Sequence, residues 1–292
     1  MRTYFFTEQG ELRSGWKALG FLLLMGITAW GFSKLARFIP QLGTLARRGG
    51  IWTVAVLAGG VSSICLILER RHPLDFGLRF DRRWVVEFLL GTAGGILLLV
   101  AVALAIRATG AFHWERNPAI DFRQLALWGG FYLGVAFNEE IMVRGYAFQR
   151  LAKGGLGVWG TQAVFALIFA AGHWSNPNNV GSYRVWATLN IALAALLLGL
   201  AVLRTGSLAL PIGIHLGWNW TQGTLLGFNV SGTESPGWWR PVLDPARPAW
   251  LHGGNFGLEA TLACALLCLV SIILLARWRG RDARIGVPLE HP

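Results

Sequence analysis

Apolar stretches of about twenty residues alternate with short polar segments along almost the whole chain. A helix needs about 20 apolar residues to cross the hydrocarbon core of a bilayer. The pattern therefore predicts an all-α, polytopic membrane protein with about eight transmembrane helices. The predicted spans are 17–37, 51–68, 84–106, 124–144, 158–174, 186–204, 207–228 and 258–277.

The segments between these spans leave little room for a second domain. We therefore predict a single membrane domain over residues 1–292, with an uncleaved first span at its N-terminus. Segment 69–83 mixes basic and apolar residues and is expected to lie along the membrane surface. The longest non-membrane segment, 229–257, contains four prolines and is predicted to be irregular.

Composition supports a membrane protein. The chain is 54% hydrophobic and only 14% charged, against about 25% charged in an ordinary soluble domain. Its formal net charge of +11 is spread between apolar runs, and no nucleic-acid-binding motif is visible. We therefore expect the basic residues to face the lipid bilayer rather than a nucleic acid. The three cysteines all lie within apolar runs, which predicts neither disulfides nor a thiolate metal site.

The distribution of Lys and Arg predicts the orientation. With the N-terminus inside, fifteen cationic residues fall on the cytosolic side and ten on the other, leaving out Arg144. Positive charge is enriched in cytoplasmic loops. This favours a bacterial-type plasma membrane protein with both termini in the cytoplasm.

Several spans carry two glycines four residues apart. Small residues at this spacing let two helix backbones approach closely. The pairs are Gly91/Gly95, Gly130/Gly134 and Gly213/Gly217.

Three polar groups interrupt the later spans, where ionised side chains cost several kcal/mol each. The fourth span contains Glu139, Glu140 and Arg144. Glu140 and Arg144 are one helical turn apart, so they share a face, whereas Glu139 is rotated by about 100°. Arg144 can neutralise and orient Glu140, which leaves Glu139 free to point into a polar cavity.

The other two groups pair a histidine with a second residue four positions away. Phe169 and His173 end the fifth span, and His215 and Asn219 lie in the seventh. If the fourth, fifth and seventh helices pack together, these side chains converge on one polar chamber. Two chemistries remain open for such a set. A carboxylate or imidazole can activate water while His215 and Asn219 stabilise an oxyanion. Alternatively, Glu140, His173 and His215 can hold a divalent metal such as zinc.

Each group also has a structural interpretation. Glu140 and Arg144 can form an ion pair that only stabilises the fold, His173 can be an interhelical hydrogen-bonding residue, and Asn219 can join two helices. Intramembrane Glu and His residues also relay protons in transporters, although no repeated broken helices are visible. No HExxH and no GxSxG motif is present.

The motifs EEIMVR (139–144), FAAGH (169–173) and HLGWN (215–219) resemble those of the CAAX prenyl protease and bacteriocin-processing family of intramembrane proteases. The resemblance covers roughly 124–228, which it marks as the catalytic core. It implies an intramembrane endopeptidase that cleaves a prenylated or otherwise membrane-associated segment, in a chamber open to the cytosolic side. A non-catalytic immunity or partner-binding protein on the same scaffold is the alternative.

The resemblance also implies roles for individual residues. Glu140 would activate water with help from His173, and Arg144 would fix Glu140. His215 and Asn219 would stabilise the oxyanion, and Glu139 would assist or bind. The family is often labelled metalloendopeptidase-like, but the glutamate mechanism is favoured here.

Overall fold

The computed structural model describes residues 2–278, with side chains from residue 4 onwards. Arg279, Arg281 and Arg284, which contribute to the predicted orientation, lie outside the described residues. The described chain is 70% helical and 5% strand. The helices are α1 (Arg2–Phe5), α2 (Ser14–Phe38), α3 (Pro40–Gly49), α4 (Ile51–Leu68), α5 (Arg82–Ala108), α6 (Phe122–Arg144), α7 (Tyr146–Ala152), α8 (Gly157–Gly172), α9 (Gly181–Thr205), α10 (Ala209–Asn219), α11 (Ala249–His252) and α12 (Leu262–Arg277).

Every predicted span falls on one of these helices. Four of them, α2, α4, α5 and α9, are long and apolar enough to cross a membrane by length and composition. Helices α8 and α12 are apolar but have only 16 residues each. The structure therefore agrees with an all-α membrane protein, while the number of spans stays a prediction. In the seventh span α10 ends at Asn219, and a π-helical turn (Trp220–Leu225) continues it.

Local sequence sets where the important helix α6 begins. Asp121 accepts a hydrogen bond from the backbone N–H of Gln124, and the Gln124 side chain accepts one from the backbone N–H of Asp121. This capping box satisfies two of the backbone donors that a helix start leaves open. It fixes the first turn of the helix that carries Glu139 and Glu140.

Two of the predicted glycine pairs face each other where α5 crosses α10. A Cβ on Gly91 or Gly95 would clash with the carbonyl oxygen of Leu210 or Ile214, respectively. A Cβ on Gly213 or Gly217 would clash with the backbone of α5 in the same way. The close approach places α10, with its polar residues, directly against α5. The pair Gly130/Gly134 behaves differently, because Gly130 has open space and only Gly134 is crowded, by Ile51 and Trp52.

Because of this contact, alanine substitutions at the adjacent Gly94 and Gly95 should have opposite effects on stability. Gly95→Ala should lower the free energy of unfolding by about 1–3 kcal/mol, because the new methyl group meets the backbone of α10. Gly94 has no neighbour within 4 Å, so Gly94→Ala should be neutral or stabilise by up to about 1 kcal/mol through helix propensity. Thermal unfolding of both purified variants in detergent measures the difference. Equal melting temperatures would contradict the packing of α5 on α10.

The structure corrects the prediction for segment 229–257. Part of it forms β2 (Trp239–Leu243), which pairs antiparallel with β1 (Phe112–Arg116). The short helix α11 follows, and a 3₁₀ turn (Leu258–Ala260) precedes α12. The pairing of strands more than 120 residues apart holds the loop after α5 against the loop after the π-helical turn.

The helices alternate in direction, so the bundle has two ends. One, the sheet end, holds β1, β2, the start of α6 and the loops 173–180 and 226–261; contacts such as Asn176 Nδ2 to the Ser231 carbonyl join these loops. The other, the terminal end, holds the start of α2, segment 69–83, α7 and the end of α12. Both described chain ends therefore lie on the same side.

Candidate active site

Glu140 and Arg144 form a buried ion pair on α6. Arg144 Nη1 donates to Glu140 Oε1 at 2.9 Å, and the two side chains are 0–1% exposed. Arg144 Nη2 also donates to the Ala195 carbonyl of α9, and its guanidinium lies 4.6 Å from the centre of the Phe169 ring on α8. Arg144 thus ties α6 to two neighbouring helices.

His215 of α10 joins this pair. Its Nδ1 lies 2.9 Å from Glu140 Oε1, the same oxygen that accepts from Arg144. A carboxylate only accepts, so Nδ1 carries a proton and donates it to this hydrogen bond. The other ring nitrogen, Nε2, lies 3.7 Å from Glu139 Oε2. Glu140 therefore fixes the ring of His215 and directs Nε2 towards Glu139.

Glu139 has a different environment from Glu140. Its side chain is 29% exposed and lines a cavity of about 250 Å³. Glu140 does not line that cavity, because neighbouring side chains on a helix point about 100° apart. Glu139 can therefore reach water in the cavity, whereas Glu140 is enclosed by protein. This placement does not favour the water-activating role that the resemblance implied for Glu140.

His173, which caps the C-terminus of α8, also lines the cavity. Its Nδ1 lies 2.8 Å from the Phe169 carbonyl oxygen. Since a carbonyl oxygen only accepts, Nδ1 carries a proton, so in the neutral ring Nε2 is the nitrogen with the free lone pair. His173 is thus a base held in one tautomer by the backbone of its own helix.

The chamber is built by more elements than the three helices predicted. Helices α6, α8 and α10 contribute Glu139, His173, His215 and Asn219, and α9 adds a further wall. Most of the remaining lining is apolar, from α6, α9 and α10. Its large apolar members include Phe131, Ile191, Leu197, Leu198, Ile214 and Trp218. Such a mixed chamber suits an apolar peptide segment with one polar bond to be attacked.

Sequence reasoning missed Glu259, which also lines the chamber. This carboxylate is 7% exposed and accepts hydrogen bonds from Ser231 N, Ser231 Oγ and Gln222 Nε2. It therefore anchors the loop that closes one side of the chamber. The available signal was a lone carboxylate at the start of an apolar run, at the beginning of the eighth predicted span.

The predicted metal ligands do not form a three-ligand centre. Glu140 and His215 bond to each other, and His173 Nδ1 bonds to the Phe169 carbonyl. Among residues 2–278, no group of three or more His, Cys, Asp or Glu side chains is placed to hold a metal ion. The donor geometry therefore does not fit the zinc site expected from Glu140, His173 and His215.

The chamber lies towards the sheet end of the bundle. Its lining includes Asn176, Ser231, Thr233 and Glu234, all from loops at that end. The chain termini are at the opposite end. With cytosolic termini, the loops that line the chamber would therefore lie on the non-cytosolic side, whereas the resemblance implied a chamber open to the cytosol.

The comparisons with known proteins agree with the motifs. Residues 121–221 match the family model described as type II CAAX prenyl endopeptidase Rce1-like. The chain is similar to that family over residues 121–221, which we call the Rce1-like segment. The resemblance seen in the three motifs is therefore confirmed for this part of the chain. Comparisons with curated proteins and with solved structures gave no match.

The Rce1-like segment contains every motif residue, from Glu139 to Asn219. It runs from the capping box of α6 to the first residues of the π-helical turn. Ser231, Glu234 and Glu259 lie beyond it but line the same chamber. The chamber thus joins an Rce1-like core to a wall contributed by the last fifth of the chain.

Proposed function

We propose that the protein is an intramembrane endopeptidase that hydrolyses a peptide bond in a membrane-associated segment. The observation that carries this proposal is the pairing of two accessible bases, Glu139 and His173, with Asn219 and His215 in one largely apolar chamber. A pocket with these groups and room for water contains what hydrolysis of an amide requires: a base, oxyanion donors and a path for the proton. The Rce1-like match supports the same class of reaction.

In the proposed reaction Glu139 takes a proton from a water molecule, and the resulting hydroxide attacks the carbonyl carbon of the substrate. His173 Nε2 accepts a hydrogen bond from the same water and aligns it. The carbonyl oxygen becomes an oxyanion as the C–O bond forms. Glu139 then returns its proton to the leaving amine, the C–N bond breaks, and a carboxylic acid and an amine are formed; proton transfer from the acid to the amine gives the carboxylate and the ammonium products.

In this proposal Asn219 and His215, which both line the chamber, stabilise the oxyanion. The Asn219 amide can donate a hydrogen bond to it, and a His215 ring protonated on both nitrogens can donate through Nε2. Glu139 holds the proton of the water in that state and is neutral, so Glu140 and the oxyanion balance the charges of Arg144 and the imidazolium. Glu140 and Arg144 are positioning residues in this scheme, since neither lines the chamber.

The Lys and Arg distribution supports cytosolic termini in a bacterial-type plasma membrane. In this orientation we propose that the chamber is reached from the other face of the membrane, where the loops in its lining lie. A substrate would then be an apolar or lipid-linked segment that is reached from that face. A prenyl group is therefore one of several apolar features by which such a substrate would be recognised in this proposal.

A cleavage assay with the purified chain tests the function. We expect cleavage of at least one of two matched fluorogenic peptides with the same apolar sequence, one carrying a farnesylated cysteine and one without the lipid. Asn219→Ala should lower kcat about 10²–10³-fold, because it removes one oxyanion donor. Thr233→Ala, in the same chamber wall, is the control and should keep wild-type kcat.

If Asn219→Ala cleaved at the wild-type rate, Asn219 would not be an oxyanion donor. No cleavage of either peptide by the wild-type chain, together with an unchanged cellular phenotype in Asn219→Ala, would favour the non-catalytic alternative.

A further inference from the structure

A second large cavity lies at the terminal end of the bundle, between the starts of α2 and α7 and the end of α4. Its volume is about 770 Å³. It is separate from the chamber, because the two linings share no residue. The cationic side chains in its lining are Lys17, Arg70, Arg71, Arg150 and Lys153, and the carboxylates are Glu11 and Glu69. The lining therefore carries a net charge of +3.

Part of this charge is neutralised within the cavity. Lys17 lies between Glu11 (3.3 Å) and Glu69 (3.6 Å), and Arg150 Nη2 lies 3.1 Å from Glu69 Oε2. Tyr146 donates a further hydrogen bond to Glu69. Glu69 is thus fully engaged in holding α2, α4 and α7 together.

Three cations are left over. Within the described residues, Arg70, Arg71 and Lys153 make no ion pair with a carboxylate. Partial burial, together with Arg71 and Arg150, lowers the pKa of Lys153 to about 8, which Glu69 and Asp75 only partly offset. The cluster is therefore short of negative charge.

The backbone at Arg70, one of these cations, has a strained conformation. Arg70 follows the end of α4 with φ 57°, a conformation that glycine adopts at lower cost. The fold is therefore less stable with arginine at this position than it would be with glycine. Such a departure is expected where the side chain has a use beyond the fold.

The cavity also has an apolar wall. Leu12, Trp16, Phe21, Leu24 and Leu68 line it. Of these, Leu12, Trp16 and Leu68 are 36–78% exposed, so the lining offers accessible apolar surface suited to acyl chains. The cavity thus combines cationic side chains with exposed apolar side chains near the start of α2 and the end of α4.

We propose that this cavity binds the phosphate group of an anionic phospholipid, with the acyl chains passing over Leu12, Trp16 and Leu68. Basic pockets between helices at the end that carries the positive charge are suited to anionic lipid headgroups. The phosphate would pair with Arg71 and Lys153, which form no ion pair with a carboxylate in the part of the chain that the structure describes. Bound lipid would join α2, α4 and α7 at the end of the bundle opposite to the chamber. This proposal does not depend on the proposed peptidase activity.

Native mass spectrometry of the full chain, released from detergent with a titration of phosphatidylglycerol or phosphatidylcholine, tests this. We expect preferential retention of phosphatidylglycerol. Arg71→Ala and Lys153→Gln should each raise its Kd about fivefold, since a cation near an anionic lipid contributes about that factor. Arg82→Ala removes an exposed cation at the same end but outside the cavity lining, and should leave the Kd unchanged.

Competing anions separate a lipid site from a site for free phosphate. Inorganic phosphate and glycerophosphoglycerol, at the same concentration as the lipid, should not displace it, because they lack acyl chains. Displacement by either one would overturn the lipid assignment in favour of a soluble phosphate. Equal retention of both lipids, or equal losses in Arg82→Ala and in the cavity variants, would overturn the site itself. Melting temperatures of the variants show whether each is folded.

Discussion

Glu139→Gln should abolish peptide cleavage while leaving the protein folded. Removal of a general base typically costs about 10²–10⁴-fold in rate, and the glutamine amide cannot take a proton from water. Glu139 is partly exposed in the chamber, and its one ion-pair contact among residues 2–278 is that to His215 at 3.7 Å. The substitution should therefore change kcat with little change in melting temperature. Single-turnover cleavage of the fluorogenic peptides measures it.

Two matched glutamates serve as controls. Glu234 is an exposed carboxylate in the lining of the same chamber, so Glu234→Gln should keep kcat within a few-fold of wild type. Glu140→Gln should lower the melting temperature, because it removes a charge from a buried pair. These outcomes distinguish a base in the chamber from a group that positions His215.

The opposite pattern would contradict the assignment of roles. If Glu140→Gln lost all activity at an unchanged melting temperature and Glu139→Gln stayed active, Glu140 would be the water activator that the sequence resemblance implied. If both variants cleaved at the wild-type rate, neither carboxylate would take part in the chemistry.

Much of the fold follows from the sequence because the bilayer imposes a strong rule. Apolar runs long enough to span hydrocarbon are visible without any tertiary information, and all eight correspond to helices. The amphipathic helix α3 was missed because it is short and polar, with only ten residues between two apolar runs. The pairing of β1 with β2 was missed because it joins distant segments, and β2 contains a proline, Pro241, that argues against a strand.

The candidate site shows the same division between local and tertiary information. Helical spacing predicts that Glu140 shares a face with Arg144 and that Glu139 points elsewhere, and the structure has this arrangement. The packing of α8, α9 and α10 around α6 decides which of the two faces meets the chamber. Local sequence patterns do not predict this packing. The contribution of Glu259 is non-local too, since its partner Ser231 is 28 residues away.

Arg144→Met should destabilise the protein strongly. The substitution keeps most of the side-chain volume but leaves the Glu140 carboxylate buried without its counter-charge. Loss of one partner of a buried pair costs about 3–5 kcal/mol. The hydrogen bond to the Ala195 carbonyl and the contact with the Phe169 ring are lost as well. We expect a large fall in melting temperature and in yield from membranes, measured by thermal unfolding in detergent.

The double variant Glu140→Gln/Arg144→Met separates the charge from the packing. It removes both charges, and the glutamine carbonyl can still accept the hydrogen bond from His215 Nδ1. Replacement of a whole buried pair by neutral groups is often close to neutral, so the double variant should regain most of the stability that Arg144→Met loses. Arg150→Met, at a second buried arginine that pairs with Glu69 outside the chamber, is the comparison for the loss of an arginine as such. If the double variant were as unstable as the sum of its two single variants, the two charges would not be coupled. The buried pair would then not be what positions His215 beside Glu139.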